Sequence, residues 1–173
     1  MSASASIIAS CDALVTYLNA IQTPPAPPVT VPPTPAAVNP FDPFTFTAYR
    51  DYAPYFQLTE MGTLHVVVCP RDKDTGKMEG RNSWLQDDGI DIGIMIKPAN
   101  LDPTADRSAQ LAIIDPLMLL VEQIHDLTTF QDFDGCGWIK TQNVPVYSAE
   151  HLRGWKQFTS VLRLTLRSRR IKA

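Results

Sequence analysis

Residues 90–96 read IDIGIMI, and the alternation has no fault in it. Ile90, Ile92, Ile94 and Ile96 fall on one side of an extended chain, with Asp91, Gly93 and Met95 on the other. A helix would scatter the four isoleucines around its circumference. A strand gathers them on one dry face, so this chain must build a sheet and must cover one side of it. The stretch FTSVLRLTLR, 158–167, repeats the pattern: Phe158, Leu162, Leu164 and Leu166 face one way, while Arg163, Thr165 and Arg167 face the other. Two further strands are expected. Phe44, Phe46 and Ala48 alternate with Thr45, Thr47 and Tyr49, and TLHVVVCP is closed by Pro70. Between the second and third strands, residues 71–89 are charged and glycine-bearing and read as a long extended hairpin loop.

The cover has to be helical. Ile7, Cys11, Leu14, Leu18 and Ile21 recur at steps of four and three, which predicts a helix over about 6–21 with one apolar face. Asp12, Thr16 and Asn19 lie toward its other side. A second helix is expected in IIDPLMLLVEQIHDLTTF, with Asp115 as N-cap and Pro116 at the first helical position. Its stripe of Leu117, Leu120, Val121, Ile124 and Leu127 contributes roughly 8–15 kcal/mol gross when buried, at ~1.5–3 each, enough to anchor it on the sheet. Whether ADRSAQLAI before it is helix or strand stays open. Residues 132–148 read as turns and a short strand, and Ser148 caps a short helix through AEHLRGW. Runs of strands without regular βαβ alternation give an α+β fold: a mainly antiparallel sheet, with the N-terminal helix and the second amphipathic helix on one face. At 173 residues and 45% hydrophobic, one core is enough. The expected organisation is a single domain, with a helix at 1–22, a linker or arm at 23–43 and the α+β body at 44–173.

The arm is set by proline. Nine of the 15 prolines lie within residues 23–43. Proline fixes φ and supplies no backbone donor, which rules out helix and central strand there. Polyproline II is the default, reaching about 60 Å at ~3.1 Å per residue. A passive spacer and an arm laid across a neighbouring subunit are both open.

Charge divides the chain. All 18 acidic residues stand at or before Glu150, with eight of the 15 Lys and Arg; residues 153–173 carry the other seven and no acid. Such a split marks an interaction tail, or a strand edge kept soluble by its charges. No apolar run approaches the ~20 residues that span a bilayer. The N-terminal stretch lacks a basic region and Asp12 interrupts its apolar run, so no signal peptide is expected. Cys11, Cys69 and Cys136 are odd in number and widely spaced, and read as buried reduced thiols.

Catalytic signatures are missing. The chain holds no GxSxG, HExxH, GxxxxGK[ST] or GxGxxG. His65, His125 and His151 are scattered, and DKDTG and DFDGCG lack the ligand series of a calcium loop. Asp87 and Asp88 fall in the expected loop with no apolar pocket beside them. No enzyme, cofactor or metal is expected. Arg163, Arg167, Arg169, Arg170 and Lys172 could meet phosphates, but no aromatic residues interleave with them.

Taken together, Arg50, Tyr52 and Pro54, the run 66–70, the alternation 90–96, residues 119–124 and the closing 158–167 resemble the tail terminator (tail-completion) proteins of long-tailed bacteriophages. The resemblance covers residues 1–22 and 44–170, and the proline segment departs from it. It implies an α+β subunit in a ring of six copies that caps the tail tube, ends its polymerisation and joins the tail to the head connector. The partners implied are copies of the chain, the major tail tube protein and the connector or stopper protein, with genomic DNA passing the lumen unbound and no membrane. The place implied is the virion neck, after assembly in the host cytoplasm. Arg71, Lys73, Lys77, Arg81, Trp84, Arg163, Arg167, Arg169 and Arg170 are the expected interface residues. Two alternatives remain: a connector or stopper subunit of the same neck, and a small nucleic-acid-binding adaptor using the basic C-terminus.

Overall fold

A computed structural model of the chain describes residues 7–22, 39–54, 56, 60–80, 83–101 and 106–171. Eight elements follow in order: α1 (Ile7–Gln22), β1 (Ala48–Arg50), β2 (His65–Gly80), β3 (Ser83–Ile96), α2 (Arg107–Thr128), β4 (Gly137–Asn143), α3 (Ala149–Trp155) and β5 (Phe158–Ile171). The five strands make one sheet in the order β1-β2-β3-β5-β4. Every pairing is antiparallel except β1 with β2, where Ala48 stands beside Val66 and Arg50 beside Val68. The fold is α+β.

Both long helices lie on one face, α1 over β1, β2 and β3, and α2 over β5 and β4. The expected faces meet there. Ile7, Cys11, Leu14 and Leu18 from α1 and Leu117, Leu120, Val121 and Ile124 from α2 close on Val66, Val68, Ile90, Ile92, Ile94, Phe158, Leu162, Leu164 and Leu166. The β3–β5 register keeps the two alternating strands in phase: Ile90 opposes Leu164 and Ile92 opposes Leu162. One slip of register would turn all of these residues to water. The Tyr17 hydroxyl donates to the Leu127 carbonyl at 3.0 Å and ties the helices together.

Several local expectations change. The first strand is three residues long and starts at Ala48, so Phe44 and Phe46 precede it; Phe46 tilts against buried Phe41 at 5.1 Å. The segment read as an arm to residue 43 is therefore packed from Asn39 onward, and 23–38 lies outside the described residues. Helix α2 begins two turns earlier than read, at Arg107 after Asp106, which leaves Pro116 inside the helix and Asp115 without a capping role. Residues 71–80 and 83–89 are strand and not loop, because β2 and β3 pair nearly to the hairpin tip. Asp87 and Asp88 accordingly sit on β3, and Asp88 is buried, with Gln86 Nε2 donating to its Oδ1 at 2.6 Å. Cys11 and Cys136 are buried as read, whereas Cys69 is half-buried.

Ser148 does cap α3, accepting from the His151 amide at 3.3 Å. Ahead of β4, Asp134 and Gly135 take φ of 51° and 71°, the left-handed pair that a two-residue hairpin turn requires.

Candidate interaction surface

Beyond Ile90 and Leu166 the apolar core ends, but β2, β3 and β5 continue as a three-stranded blade. Residues 71–76 of β2 are exposed along it, while 83–87 of β3 are half-buried. On the face away from the helices, charge replaces the isoleucines. Arg163 Nε donates to Asp91 Oδ1 at 3.0 Å. Arg167 grips Asp87 with two bonds, Nε to Oδ1 at 2.6 Å and Nη2 to Oδ2 at 2.7 Å. Arg71 reaches the other Asp91 oxygen at 3.9 Å and Asp72 at 3.6 Å. Both arginine–aspartate pairs are directly opposite in the ladder, which is why two long side chains meet their partners without bending.

The two acids differ in environment. The Arg167 hydrogen bond draws the Asp87 carboxyl below its ordinary value, against a smaller effect of burial and with further help from the charges of Arg167 and Lys140. Burial pushes the Asp91 carboxyl up, more than Arg71 draws it down, and Asp72 adds to the rise. The bidentate pair is thus the firmer of the two.

The expected interface residues separate into groups. Arg71, Arg163 and Arg167 belong to the charge ladder on the open face. Arg169 is exposed on the same face, its Nη2 3.5 Å from the Ser83 hydroxyl. Lys73 is exposed on β2 opposite Asp88, and half-buried Trp84 stands opposite Arg170 on β3, at positions of the helix-side phase. Lys77 and Arg170 lie in strands, but their side chains are outside what is described, and Arg81 is outside the described residues altogether.

Sequence reasoning missed the acid partners. It named the basic residues of the closing strand as interface residues, and Asp87 and Asp91 supply a partner within the chain for two of them. A signal was present: the two acids are four apart on one strand, the two arginines four apart on the other, and each pair's residue numbers add to the same total, as antiparallel register demands.

Edges matter for assembly as well. Among the described residues β1 covers β2 only along 66–68, which leaves 72–76 on an open edge. That edge carries Pro70, Lys73 and register shifts on either side of 72–75, the devices that discourage indiscriminate strand addition. β4, the opposite edge, has its own shift at Ile139, and Lys140 is exposed on it.

The described residues form a five-stranded, mostly antiparallel sheet under two helices, continued into a charged blade. Comparison with protein-family models and with curated proteins gave no match for the chain.

Proposed function

We propose that this chain is a structural virion protein, a tail terminator that closes into a ring of six copies on the end of the tail tube. The ring stops tube growth and presents its other side to the head connector, at the virion neck. It binds and does not catalyse. The observation that carries this reading is the blade: three strands, braced by the Arg167–Asp87 pair and at their base by Arg163–Asp91 on the back of the covered half, project a pre-ordered charged face past the helical layer. A rigid surface loses little conformational entropy when it meets a partner. The guarded edges also favour contacts between faces over free strand addition, which suits a closed ring better than a fibre. The reading of the C-terminus as a nucleic-acid-binding tail is weakened, since two of its arginines already hold aspartates; DNA then passes the lumen without adhesion.

The test is to add the purified protein to polymerising tail tubes of the same virus and to image them. A disc at one end of each tube, with growth arrested, is expected. Tubes that lengthen normally and carry no disc overturn the proposal. For the interface itself, Arg163→Glu and Arg167→Glu are poor probes, because each would set two carboxylates opposite one another within the subunit. Lys73→Glu and Arg169→Glu, both at exposed positions, are the better pair.

A further inference from the structure

Among the described residues, α2 before its buried stripe is only partly covered, with Ile114 alone of its apolar residues packed against the core. None of 107–116 is buried, although Leu111, Ala112, Ile113 and Ile114 are apolar and Leu111 is 43% exposed. Beside them stands α3, which buries nothing at all. Between the two helices runs a groove of about 270 Å³, lined by Leu101, Gln110, Ile114, Tyr147, Ala149, Leu152 and Arg153. Tyr147, in its wall, is 45% exposed, and Trp155, one helical turn beyond Leu152, is 60% exposed and stacks on His151 at 4.5 Å. Exposed Val144 and Val146 extend the apolar surface. A concave site as polar as it is apolar, with a Tyr in its wall, a Trp one turn away, and amide, phenol and guanidinium donors, offers what a polyproline II chain needs, since the carbonyls of such a chain are free to accept.

The chain carries such a ligand. Residues 23–38, TPPAPPVTVPPTPAAV, have seven prolines and no charge in 16 positions. Both ends are anchored on the β1 side of the sheet. Gln22 Oε1 accepts from the Phe46 amide at 3.0 Å, and Asn39 Nδ2 donates to the Phe44 carbonyl at 3.2 Å. The groove lies at the same end of the sheet but on the β5 side, where the Ser148 amide donates to the Thr159 carbonyl.

We infer that this groove receives the proline-rich segment 23–38 of a second copy of the chain. Length decides for the second copy. β1 and β5 are three strand spacings apart, about 14 Å at ~4.8 Å each. At ~3.1 Å per residue a loop returning to its origin spends about five residues outward and five back, leaving roughly six, half of them the bend. That is too few to lay a polyproline stretch along the groove of its own subunit. A neighbour's groove can meet either limb directly, with Pro24–Pro25 and Pro27–Pro28, or Pro32–Pro33 and Pro35, available to it. The inference goes beyond the proposed terminator role and does not require a tail tube.

The experiment uses the full-length chain with 23–38 replaced by a Gly/Ser segment of equal length, which empties the groove and keeps both anchors. A fluorescent synthetic peptide of residues 23–38 is titrated into it and its anisotropy followed. Saturable binding is expected, weakened at least tenfold by Tyr147→Ala with Trp155→Ala, two exposed positions whose change leaves the core alone. The peptide with its seven prolines changed to alanine should also bind at least tenfold more weakly. In a second arm, the Gly/Ser chain is mixed with the Tyr147/Trp155 variant, which retains its proline segment. The mixture should form a complex by light scattering that neither forms alone. No peptide binding, binding indifferent to the groove substitutions, or peptide binding without complex formation in the mixture overturns the inference; the last places the segment in its own subunit's groove.

Discussion

Strands β2, β3 and β5 each pass from a half lying under two helices to a half lying beyond them, and the same ladder is held by different forces in the two places. Under the helices, Ile90, Ile92, Ile94, Leu162, Leu164 and Leu166 are wholly buried. Each contributes about 1.5–3 kcal/mol through loss of apolar surface from water. In the blade, the cross-strand Arg167–Asp87 pair, with partly exposed side chains, holds register instead, at about 1 kcal/mol or less. The first half makes the subunit stable. The second spends little stability and keeps a charged surface in one shape, which is what a binding face needs.

Four measurements would break or sharpen that contrast. The largest effect belongs to the covered half. Leu164→Ala leaves a cavity between α2 and the sheet and should cost about 2–5 kcal/mol in denaturant unfolding; a loss under 1 kcal/mol would mean the helices are not the chief cover. Next comes Asn19→Ala. The Asn19 amide donates to the Ala48 carbonyl at 2.9 Å and accepts from its N–H at 2.8 Å, clipping α1 to the edge strand. Its removal should cost about 1–3 kcal/mol and raise hydrogen exchange at Ala48.

Arg167→Met tests the blade. It should cost about 1 kcal/mol at neutral pH. The folded value of the Asp87 carboxyl lies below its unfolded one. Its stabilisation is therefore complete above the ordinary carboxylate range and disappears as pH falls through the lowered value. Unfolding curves of the wild type and the variant should begin to converge as pH falls below about 4 and meet once it has passed the lowered value; a gap that remains at the acid end would show that the pair matters through packing. Smallest of all, Arg169→Glu should change stability by less than about 0.5 kcal/mol while impairing tube capping. Loss of both, or of neither, would remove the blade from the proposed interface.

Much of the covered half was legible in the primary structure. Apolar period two at 90–96 and 158–166, and steps of three and four at 7–21 and 117–127, named both sides of the core, because burial leaves a periodic trace in composition. The blade was misread for the complementary reason. Residues 71–89 are mostly polar on both faces, and Met78, Trp84 and Leu85 make no apolar alternation, so nothing marks them as strand, and charge with glycine imitates a loop. Helix α2 was begun too late because Asp115–Pro116 has the chemistry of a start. Inside a longer helix, Pro116 costs one intrahelical hydrogen bond that the buried turns after it offset. Asn19 was set on the polar side of α1 by its type, and only the approach of β1 makes it a clip.

From its residues alone, this chain was bound to form a one-sided sheet with two amphipathic helices and a proline segment outside them, since hydrophobic spacing and proline geometry act locally. Which strands are neighbours, that Asp87 and Asp91 meet Arg167 and Arg163 within the subunit, and that α2 and α3 leave a groove between them depended on the assembled fold. Those facts join residues distant along the chain, and no local spacing records where such residues come to rest.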